Sequence, residues 1–216
     1  MPLKFQTKNQ AVYEALRKNI IEGKLKPRQK IIMSEVSKEF GLSDIPVREA
    51  IRRLESEGFV RFTPHVGAIV SEIDEHEFVE TYLIRIELES LATRLAVPQI
   101  SSSDIEFLIS KNNEMKNALN ENKCEKLGAL NREFHLRIYR AAPYPYLNQL
   151  IASLWDKLER TQSVFAYVPE RATSAVLEHE KIIEALRSKN VTLSENLIKE
   201  QKSRTMSALE KFIKNR

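Results

Sequence analysis

The sequence predicts a mainly α-helical protein, in which an N-terminal winged helix-turn-helix domain precedes an all-α helical bundle. In the N-terminal part, a short helix, a glycine turn and a proline-containing amphipathic helix follow one another, the order of a helix-turn-helix. After residue 74 the apolar residues recur at helical spacing almost throughout, and four of the five glycines lie before that point. We therefore expect one domain at residues 1–74 and a second at residues 75–216.

The stretch GLSDIPVREAIRRLESEGFV predicts the second helix of the pair. Ser43 is its expected N-cap, and Pro46 lies in the first turn, where a missing N–H costs nothing. Asp44 places a negative charge at the positive end of the helix dipole. Arg48 and Arg52, one turn apart, face away from the single apolar stripe of this helix. That stripe consists of Val47, Ala50, Ile51 and Leu54.

The basic face of this helix has an ordinary alternative, a solvated surface with pairs such as Arg52 with Glu55 and Glu49 with Arg53. The charge distribution favours a nucleic-acid contact instead. The first 72 residues contain 13 lysines and arginines against 9 acidic residues, whereas the rest of the chain has 21 of each. The net charge of +4 therefore falls on the part that resembles a DNA reader, and a basic surface binds phosphates with release of counterions.

Short elements surround this helix and complete a winged arrangement. MSEVSKEF predicts the preceding helix, with Ser34 as its cap, and QAVYEALRKNIIEGKL predicts an earlier one. FVRFTPHVGAIVSEI predicts two strands, Phe59–Thr63 and Ala68–Ile73. The tip between them contains His65 and Gly67, in a sequence rich in turn residues. The predicted wing therefore adds these two residues to the DNA-contacting surface.

The remainder of the chain predicts an all-α bundle of roughly six helices. Ser-Asp and Thr-Leu-Ser-Glu sequences provide start signals, and prolines separate several of the segments. The predicted helices are Glu75–Ala96, Ser103–Glu121, Lys126–Ala142, Tyr146–Ala166, Ala172–Ser188 and Thr192–Lys214.

Composition bears on where the protein works. Cys124 is the only cysteine, so an internal disulfide is excluded and a reducing compartment is favoured. The N-terminal MPLKFQTKNQ lacks the apolar core of a signal peptide, and no apolar run reaches the length of a membrane span. We expect a cytoplasmic protein with no membrane partner.

Several polar residues fall on inward-facing stripes of the bundle helices. One such residue is most often a hydrogen-bonded core group, and Arg85 has a structural partner in reach at Glu89, one turn on. Several of them converging from different helices form the kind of interior in which bundles bind small molecules or metals. The candidate set is Arg85, Asn131, His135, His179 and Gln201.

At this point the motifs resemble a known family. IIEGKLKPRQKI, GLSDIPVREAIRRLESEGFV and HVGAIV resemble the N-terminal domain of GntR-type transcription regulators. IRIELE, NREFH with LRIYRAA, and EHEKIIEAL resemble the FCD effector domain of the FadR-like branch, and the short helical part is closer to its VanR-like variety. The resemblance covers nearly the whole chain. It implies a homodimer on a palindromic DNA operator, most often a repressor, with an effector in the helical domain that alters DNA affinity.

Two positions depart from the family pattern. Asp44 stands where the family usually has arginine, so the operator sequence is not transferable, although a carboxylate can accept from a cytosine amino group. The family's metal ligands, one aspartate and three histidines, correspond here to Asn131, His135, His179 and Gln201. Because two of these are neutral amides, we expect a weak or absent Zn²⁺ or Ni²⁺ ion at His135, His179 and Asn131. The effector is expected to be a small carboxylate held by the candidate set.

The resulting hypothesis is a ligand-responsive transcription regulator that is not an enzyme. A metal-dependent hydrolase using His135 and His179 is the alternative, and the lack of a recognisable nucleophile or metal-binding carboxylate disfavours it. A non-specific architectural DNA protein would need a more basic chain. The residues assigned to DNA are Ser34, Ser43, Asp44, Pro46, Arg48, Arg52, His65 and Gly67.

Overall fold

A computed structural model describes residues 8–64, 66–71, 75–123, 126–159, 165, 168 and 170–214. They form two compact units, an N-terminal one that ends at Ser71 and a helical one that begins at Glu75. The predicted boundary between residues 74 and 75 adjoins positions outside the described residues and stays a prediction. No helix in the described part of the chain is long and apolar enough to cross a membrane.

The N-terminal unit is a winged helix-turn-helix, as the sequence predicts. It contains three helices and three short strands, and the predicted glycine turn separates the second helix from the third. The elements are α1 (Lys8–Ile21), β1 (Lys30–Ile31), α2 (Met33–Phe40), α3 (Asp44–Ser56), β2 (Val60–Thr63) and β3 (Gly67–Val70).

The three strands form one antiparallel sheet in the order β1-β3-β2. The β2–β3 hairpin is the predicted wing, closed by the pairing of Thr63 with Gly67. The strand predicted through Ile73 ends at Val70, and residues 72–74 lie outside the described residues. β1 was not predicted, because a two-residue strand has no detectable alternation.

The start of α2 differs from the prediction. Ser34 was the expected cap, but Ile32 occupies the N-cap position with extended backbone (φ −89°, ψ 109°), and Ser34 is the second residue of the helix. The reason is that β1 ends at Ile31, so its extended backbone leads directly into the helix. Ser43 does occupy the N-cap of α3, although its side chain makes no capping hydrogen bond.

The N-terminal core lies between α1 and α3. Each of these helices presents a stripe of aliphatic side chains that are at most 4% exposed. Full burial of one such side chain contributes about 1.5–3 kcal/mol relative to exposure. The six residues of the two stripes therefore stabilise the packing of α3 on α1. The stripes are Val12, Leu16 and Ile20 on α1, and Val47, Ile51 and Leu54 on α3.

The helical unit contains the predicted helices, with ends that differ by at most two residues wherever both ends are described. The exception is the helix that begins at Pro145, whose predicted extension to Ala166 falls mostly outside the described residues. The elements are α4 (Glu75–Ala96), a 3-10 turn (Val97–Gln99), α5 (Ser102–Asn120), α6 (Leu127–Arg140), α7 (Pro145–Glu159), α8 (Glu170–Arg187) and α9 (Val191–Lys214).

Packing in this unit brings the polar stripes of four helices together. α4 lies along α9, α9 also packs on α8, and α6 contacts both α4 and α5. The main apolar core includes Phe134, Ile138, Ile151, Ile182 and Ile198, all completely buried. Polar side chains on the same stripes therefore point into the interior, where each needs a hydrogen-bonding partner.

Candidate DNA-reading surface and effector site

The turn between α2 and α3 is held by one glycine and one hydrogen bond between side chains. Gly41 has a left-handed backbone (φ 62°, ψ 37°), which glycine adopts without steric cost. The N–H of Leu42 donates to the carbonyl of Ser37 at 2.9 Å. The Ser37 hydroxyl in turn donates to the Asp44 carboxylate at 2.6 Å. Asp44 therefore fastens α3 to α2, a role that the sequence did not reveal.

Two arginines on the outer face of α3 are free to contact a partner. Arg48 and Arg52 are exposed, and neither forms an ion pair or hydrogen bond within the described part of the chain. The surface pair of Arg52 with Glu55, the alternative that the sequence allowed, is thus not formed among the described residues. Ser34 and Ser43 are exposed as well, and Pro46 is half-buried in the first turn. The guanidinium donors of both arginines remain available for phosphates or base edges.

Arg53 differs from its two neighbours because it is bound to α1. Its guanidinium carbon lies 3.8 Å from the centre of the Tyr13 ring, and its Nε donates to Glu57 at 3.1 Å. Glu49, offered by the sequence as its partner, accepts instead from the amide of Asn9 at 2.9 Å. Arg53 is therefore a structural residue of the N-terminal unit.

Gly67 lies at the start of β3, directly after the tip of the wing. Its φ of 99° is one that residues with a side chain rarely adopt, so a substitution would strain the hairpin. The N–H of Val66 donates to the carbonyl of Thr63 at 3.1 Å and closes the turn. His65 lies outside the described residues, so its assignment to DNA stays a prediction.

In the helical unit, Glu89 is the centre of a buried polar cluster. Its Oε1 accepts from the Nε of Arg85 at 2.6 Å, the pair that the sequence offered as the structural alternative. Its Oε2 accepts from the Tyr139 hydroxyl at 2.6 Å and the Lys202 ammonium at 3.1 Å. Burial by itself would raise the pKa of Glu89, but the positive charges of Arg85 and Lys202 bring that pKa below its ordinary value. Glu89 is therefore ionised.

Both cations of this cluster also contact Trp155. The Arg85 guanidinium carbon lies 4.1 Å from the centre of the indole ring, and the Lys202 nitrogen lies 4.7 Å from it. Such contacts with an aromatic face favour a cation that has been removed from water. Burial nevertheless lowers the pKa of Lys202 to about 8, although Glu89 acts in the opposite direction. The cluster thus contains two cations and one carboxylate.

His135 and His179 face each other with their Nε2 atoms 3.3 Å apart. The Asn112 oxygen lies 3.1 Å from Nδ1 of His179, and because the Asn112 NH₂ donates to a backbone carbonyl, we assign the Nδ1–H tautomer to His179. Nδ1 of His135 lies 3.4 Å from the Tyr139 hydroxyl, whose proton is directed at Glu89. A neutral His135 has a single N–H. That proton serves either the contact with Nε2 of His179 or the contact with the Tyr139 hydroxyl, so the other contact has no proton between its two atoms.

Both imidazoles are neutral at pH 7. Burial lowers the pKa of His135 and of His179 well below the ordinary value, and the positive charge of Lys202 lowers both further. Arg85, Lys202 and Glu89 therefore determine the charge of the cluster.

Several buried polar atoms around this cluster have no hydrogen-bonding partner within the described residues. Neither amide atom of Gln201 completes a hydrogen bond of good geometry, although the amide lies beside His135 and favours its protonated form. The indole N–H of Trp155 and the Nε of Arg171 are also unpaired. Each such group costs about 1–3 kcal/mol. Gln201 and Trp155 both lie beside His135, so two of these unpaired groups adjoin the cluster.

The donors here fall short of what a tightly held divalent metal requires. The spacing of the two Nε2 atoms matches two ligands at ~2.0–2.1 Å from one ion. However, the described residues contain no group of three or more His, Cys, Asp or Glu that could hold a metal. Gln201 is a neutral amide, and Asn131, half-buried one turn before His135, joins none of the hydrogen bonds described for the cluster.

Sequence reasoning therefore placed Arg85, His135, His179 and Gln201 near one another but missed four neighbours, the first of which is Asn112 on α5, beside His179. Tyr139 follows His135 by one helical turn, and Trp155 comes from α7, which the candidate set did not include. Lys202 lies on the inward stripe of α9 at helical spacing from Ile198 and Leu209, a signal that could have been recognised. Most lysines on helices are exposed, so this spacing alone does not predict a buried lysine.

Comparison with known proteins covers both units. The family of bacterial regulatory proteins called gntR matches residues 8–70, and the FCD domain matches residues 80–201. In sequence, the chain is 28% identical over 179 residues to YdhC, an uncharacterised HTH-type transcriptional regulator of Bacillus subtilis, with 82% of this chain and 80% of the relative covered. It is 26% identical over 203 residues to the gluconate operon transcriptional repressor of Bacillus subtilis, with coverages of 88% and 79%.

A third relative is similar in both sequence and structure. The chain is 31% identical over 143 residues to the HTH-type transcriptional regulator McbR of Escherichia coli, covering 66% of this chain and 65% of McbR. The solved structure of Escherichia coli McbR/YncC superposes with a TM-score of 0.72 at 25% identity, covering 93% of this chain and 96% of that one. The protein belongs to the GntR family of bacterial transcription regulators and has an FCD domain after its winged helix-turn-helix.

Proposed function

We propose that this DNA-binding regulator is a homodimeric repressor whose affinity for a palindromic operator is set by a small carboxylate bound in the helical unit. The observation that supports the DNA part is the pair of exposed, unpaired arginines on α3. The observation that supports the effector part is the buried cluster of unpaired donors around Arg85 and Gln201.

On DNA, α3 enters the major groove as the second helix of the motif. Arg48 contacts phosphates or a guanine edge, and Arg52 binds phosphates one turn farther along. Ser34 and Ser43 donate their exposed hydroxyls to the backbone. The wing approaches the minor groove with Gly67 at its base. Pro46 presets the first turn of α3, and Asp44 orients the helix through Ser37.

Assembly is proposed to occur through the helical unit. Two half-sites related by two-fold symmetry require two copies, because one small domain binds DNA weakly. On α4, Leu83 and Ile84 are exposed by 53% and 44%, which offers apolar surface for a second copy. Sedimentation at micromolar concentration should show a dimer, and a monomer both with and without DNA would contradict this part.

The effector is proposed to be a small organic acid, bound without a resident metal. Its carboxylate pairs with Arg85, and its other polar atoms bond Gln201 and the imidazoles of His135 and His179, with Asn131 at the edge. The relative named as the repressor of the gluconate operon provides a first ligand to test. Because no described serine, threonine or cysteine hydrogen-bonds either imidazole, we also propose that the site has no catalytic role.

Footprinting on the DNA upstream of the protein's own gene tests the proposal. We expect protection of a palindromic site that weakens steeply with salt, as phosphate contacts require. Sodium gluconate and other monocarboxylates are then added at constant ionic strength. Protection that no carboxylate alters would contradict the effector part, and protection of all DNA alike would indicate an architectural protein.

A further inference from the structure

We propose that Lys202 supplies the second positive charge of the effector site, so that a singly charged carboxylate binds between its ammonium and the Arg85 guanidinium. This inference rests on the proposed function of the helical unit as an effector-binding domain. It assigns a specificity-determining role to a residue that no motif of the family resemblance includes, and it replaces a bound metal ion with a side chain of the protein.

The first support is the balance of charge in the interior. Arg85, Lys202 and Glu89 are each at most 4% exposed. His135 and His179 lie next to this cluster on α6 and α8. Arg171 and Glu178 on α8 form their own bidentate ion pair, with nitrogen–oxygen distances of 3.2 and 2.9 Å, and the solvent-facing Arg204 adds a third contact to Glu178.

The cluster around Glu89 thus has one uncompensated positive charge in a buried position. A buried charge without a partner is costly, and a monoanion would complete the pairing. A dicarboxylate would leave one negative charge uncompensated instead. The charge balance therefore selects one negative charge on the effector.

The second support is the number of donors left unused. The Nε–H of Arg85 donates to Glu89, and the Tyr82 hydroxyl is a second hydrogen-bonding partner of its guanidinium, which leaves three of its five N–H donors without a protein acceptor among the described residues. The Lys202 ammonium donates to one oxygen of Glu89 and to no other described atom, which leaves two of its three N–H bonds. Both cations lie over the Trp155 ring, whose indole N–H is also unpaired among the described residues. A carboxylate has the acceptor lone pairs to satisfy them.

The third support is that Glu89 already holds the two cations at the spacing of one carboxylate. Arg85 binds its Oε1 and Lys202 binds its Oε2, and both cations contact the same indole ring. A carboxylate on the other side of this pair meets donors that are oriented before it arrives, which reduces the ordering cost of binding.

The test compares the full-length protein with Lys202→Met, Lys202→Arg and Lys199→Met. Sodium gluconate and sodium acetate are titrated separately at constant ionic strength against sodium chloride, and binding is followed by the thermal midpoint and by calorimetry. Lys199 is a matched control, because it lies on the same helix with a half-exposed side chain paired to Glu87. Lys202→Met should fold, since Arg85 still neutralises Glu89.

We expect at least one of the two carboxylates to raise the midpoint of the parent protein and of Lys199→Met, with no effect of chloride. Lys202→Met should bind that carboxylate about tenfold more weakly or worse, which is the loss expected for a charge-assisted hydrogen bond. Lys202→Arg should recover much of the affinity. This rescue separates a charge role from a packing role.

Three results would overturn the inference. Equal carboxylate affinity of the parent protein and Lys202→Met would remove Lys202 from the site while leaving the effector proposal intact. No response of the parent protein to either anion would contradict the two-cation carboxylate site itself. A zinc ion that survives dialysis against chelator and is required for the carboxylate response would assign the charge to the metal. The proposed regulatory function is tested by a different measurement, DNA footprinting, where the absence of specific protection would contradict it.

Discussion

On α3, the contacts of individual arginines separate structural positions from DNA-contacting ones. Arg53 is packed on Tyr13 and paired with Glu57, whereas Arg48 and Arg52 are exposed and without partners among the described residues. Losing Arg53 should therefore reduce stability first and DNA affinity second. For the other two, the order should be reversed, because their removal breaks no ion pair or hydrogen bond among the described residues of the N-terminal unit.

Arg48→Ala should lower operator affinity by about 1–3 kcal/mol, with an unchanged fold, because it removes a base-edge or phosphate contact. Arg94→Ala is the control: it removes one charge from the helical unit, where, among the described residues, the half-exposed Arg94 pairs only with Glu195 at 3.2 Å. Gel-shift titration and circular dichroism measure the two effects. Unchanged operator affinity of a folded Arg48→Ala protein would exclude Arg48 from the interface.

Asp44 has two possible partners, a DNA base and the Ser37 hydroxyl, and paired substitutions distinguish them. Both Ser37→Ala and Asp44→Ala should lower the unfolding free energy by about 1 kcal/mol, because each breaks the same partly buried hydrogen bond. Only Asp44→Ala should strengthen DNA binding at low salt, since it removes a carboxylate near the phosphates. If Asp44→Ala instead weakens operator binding specifically, Asp44 contacts a base, most simply a cytosine amino group.

At the scale of elements, the start of α5 shows how a local signal is reinforced by the surrounding structure. Ser101 and Asp104 form a reciprocal capping box, and Arg137 on α6 donates to the same carboxylate at 2.6 Å. Burial by itself would raise the pKa of Asp104, but the bonds from Ser101 and Arg137 lower it below its ordinary value. The N-terminal cap of α5 is thereby hydrogen-bonded to α6.

Asp104→Asn should lower the unfolding free energy at pH 7 by about 1 kcal/mol, the usual worth of a helix cap. Because the folded-state pKa of Asp104 is lowered, its contribution is complete above the unfolded pKa and is lost as pH falls through the folded one. Urea titrations should therefore show the two proteins converging in acid. Glu106→Gln, on the exposed side of α5, controls for the lost charge. A difference that persists at low pH would contradict this account.

The elements that were predictable from sequence are those with a repeated pattern or a defined stop. α4 matches its predicted bounds because its apolar period continues over 22 residues. β1 and the Ile32 cap were not predictable, since both depend on the pairing of β1 with β3 across the chain. The candidate effector site, likewise, can be predicted only in part from the sequence. Inward polar residues follow from periodicity, but the approach of Lys202 to Glu89 depends on how α9 packs on α4.

At the scale of the whole molecule, the two units differ in what their charges do. The N-terminal unit has the net positive charge, with unpaired arginines on its surface. The helical unit has a balanced composition but keeps an uncompensated cation in its interior. Surface charge acts on DNA over a Debye length and is screened by salt, whereas the buried charge is screened much less. DNA binding should therefore depend on ionic strength far more steeply than carboxylate binding does.

The salt dependence of operator binding also reports how many copies bind. Each phosphate contact contributes about 0.9 to the slope of log K against log salt on duplex DNA. If Arg52 contacts a phosphate in each of two copies, Arg52→Ala should reduce the slope by about 1.8, while a single bound copy gives about 0.9. Arg94→Ala should leave the slope unchanged. A slope that Arg52→Ala does not alter would remove Arg52 from the phosphates, and the single-copy value would contradict the homodimer on a palindrome.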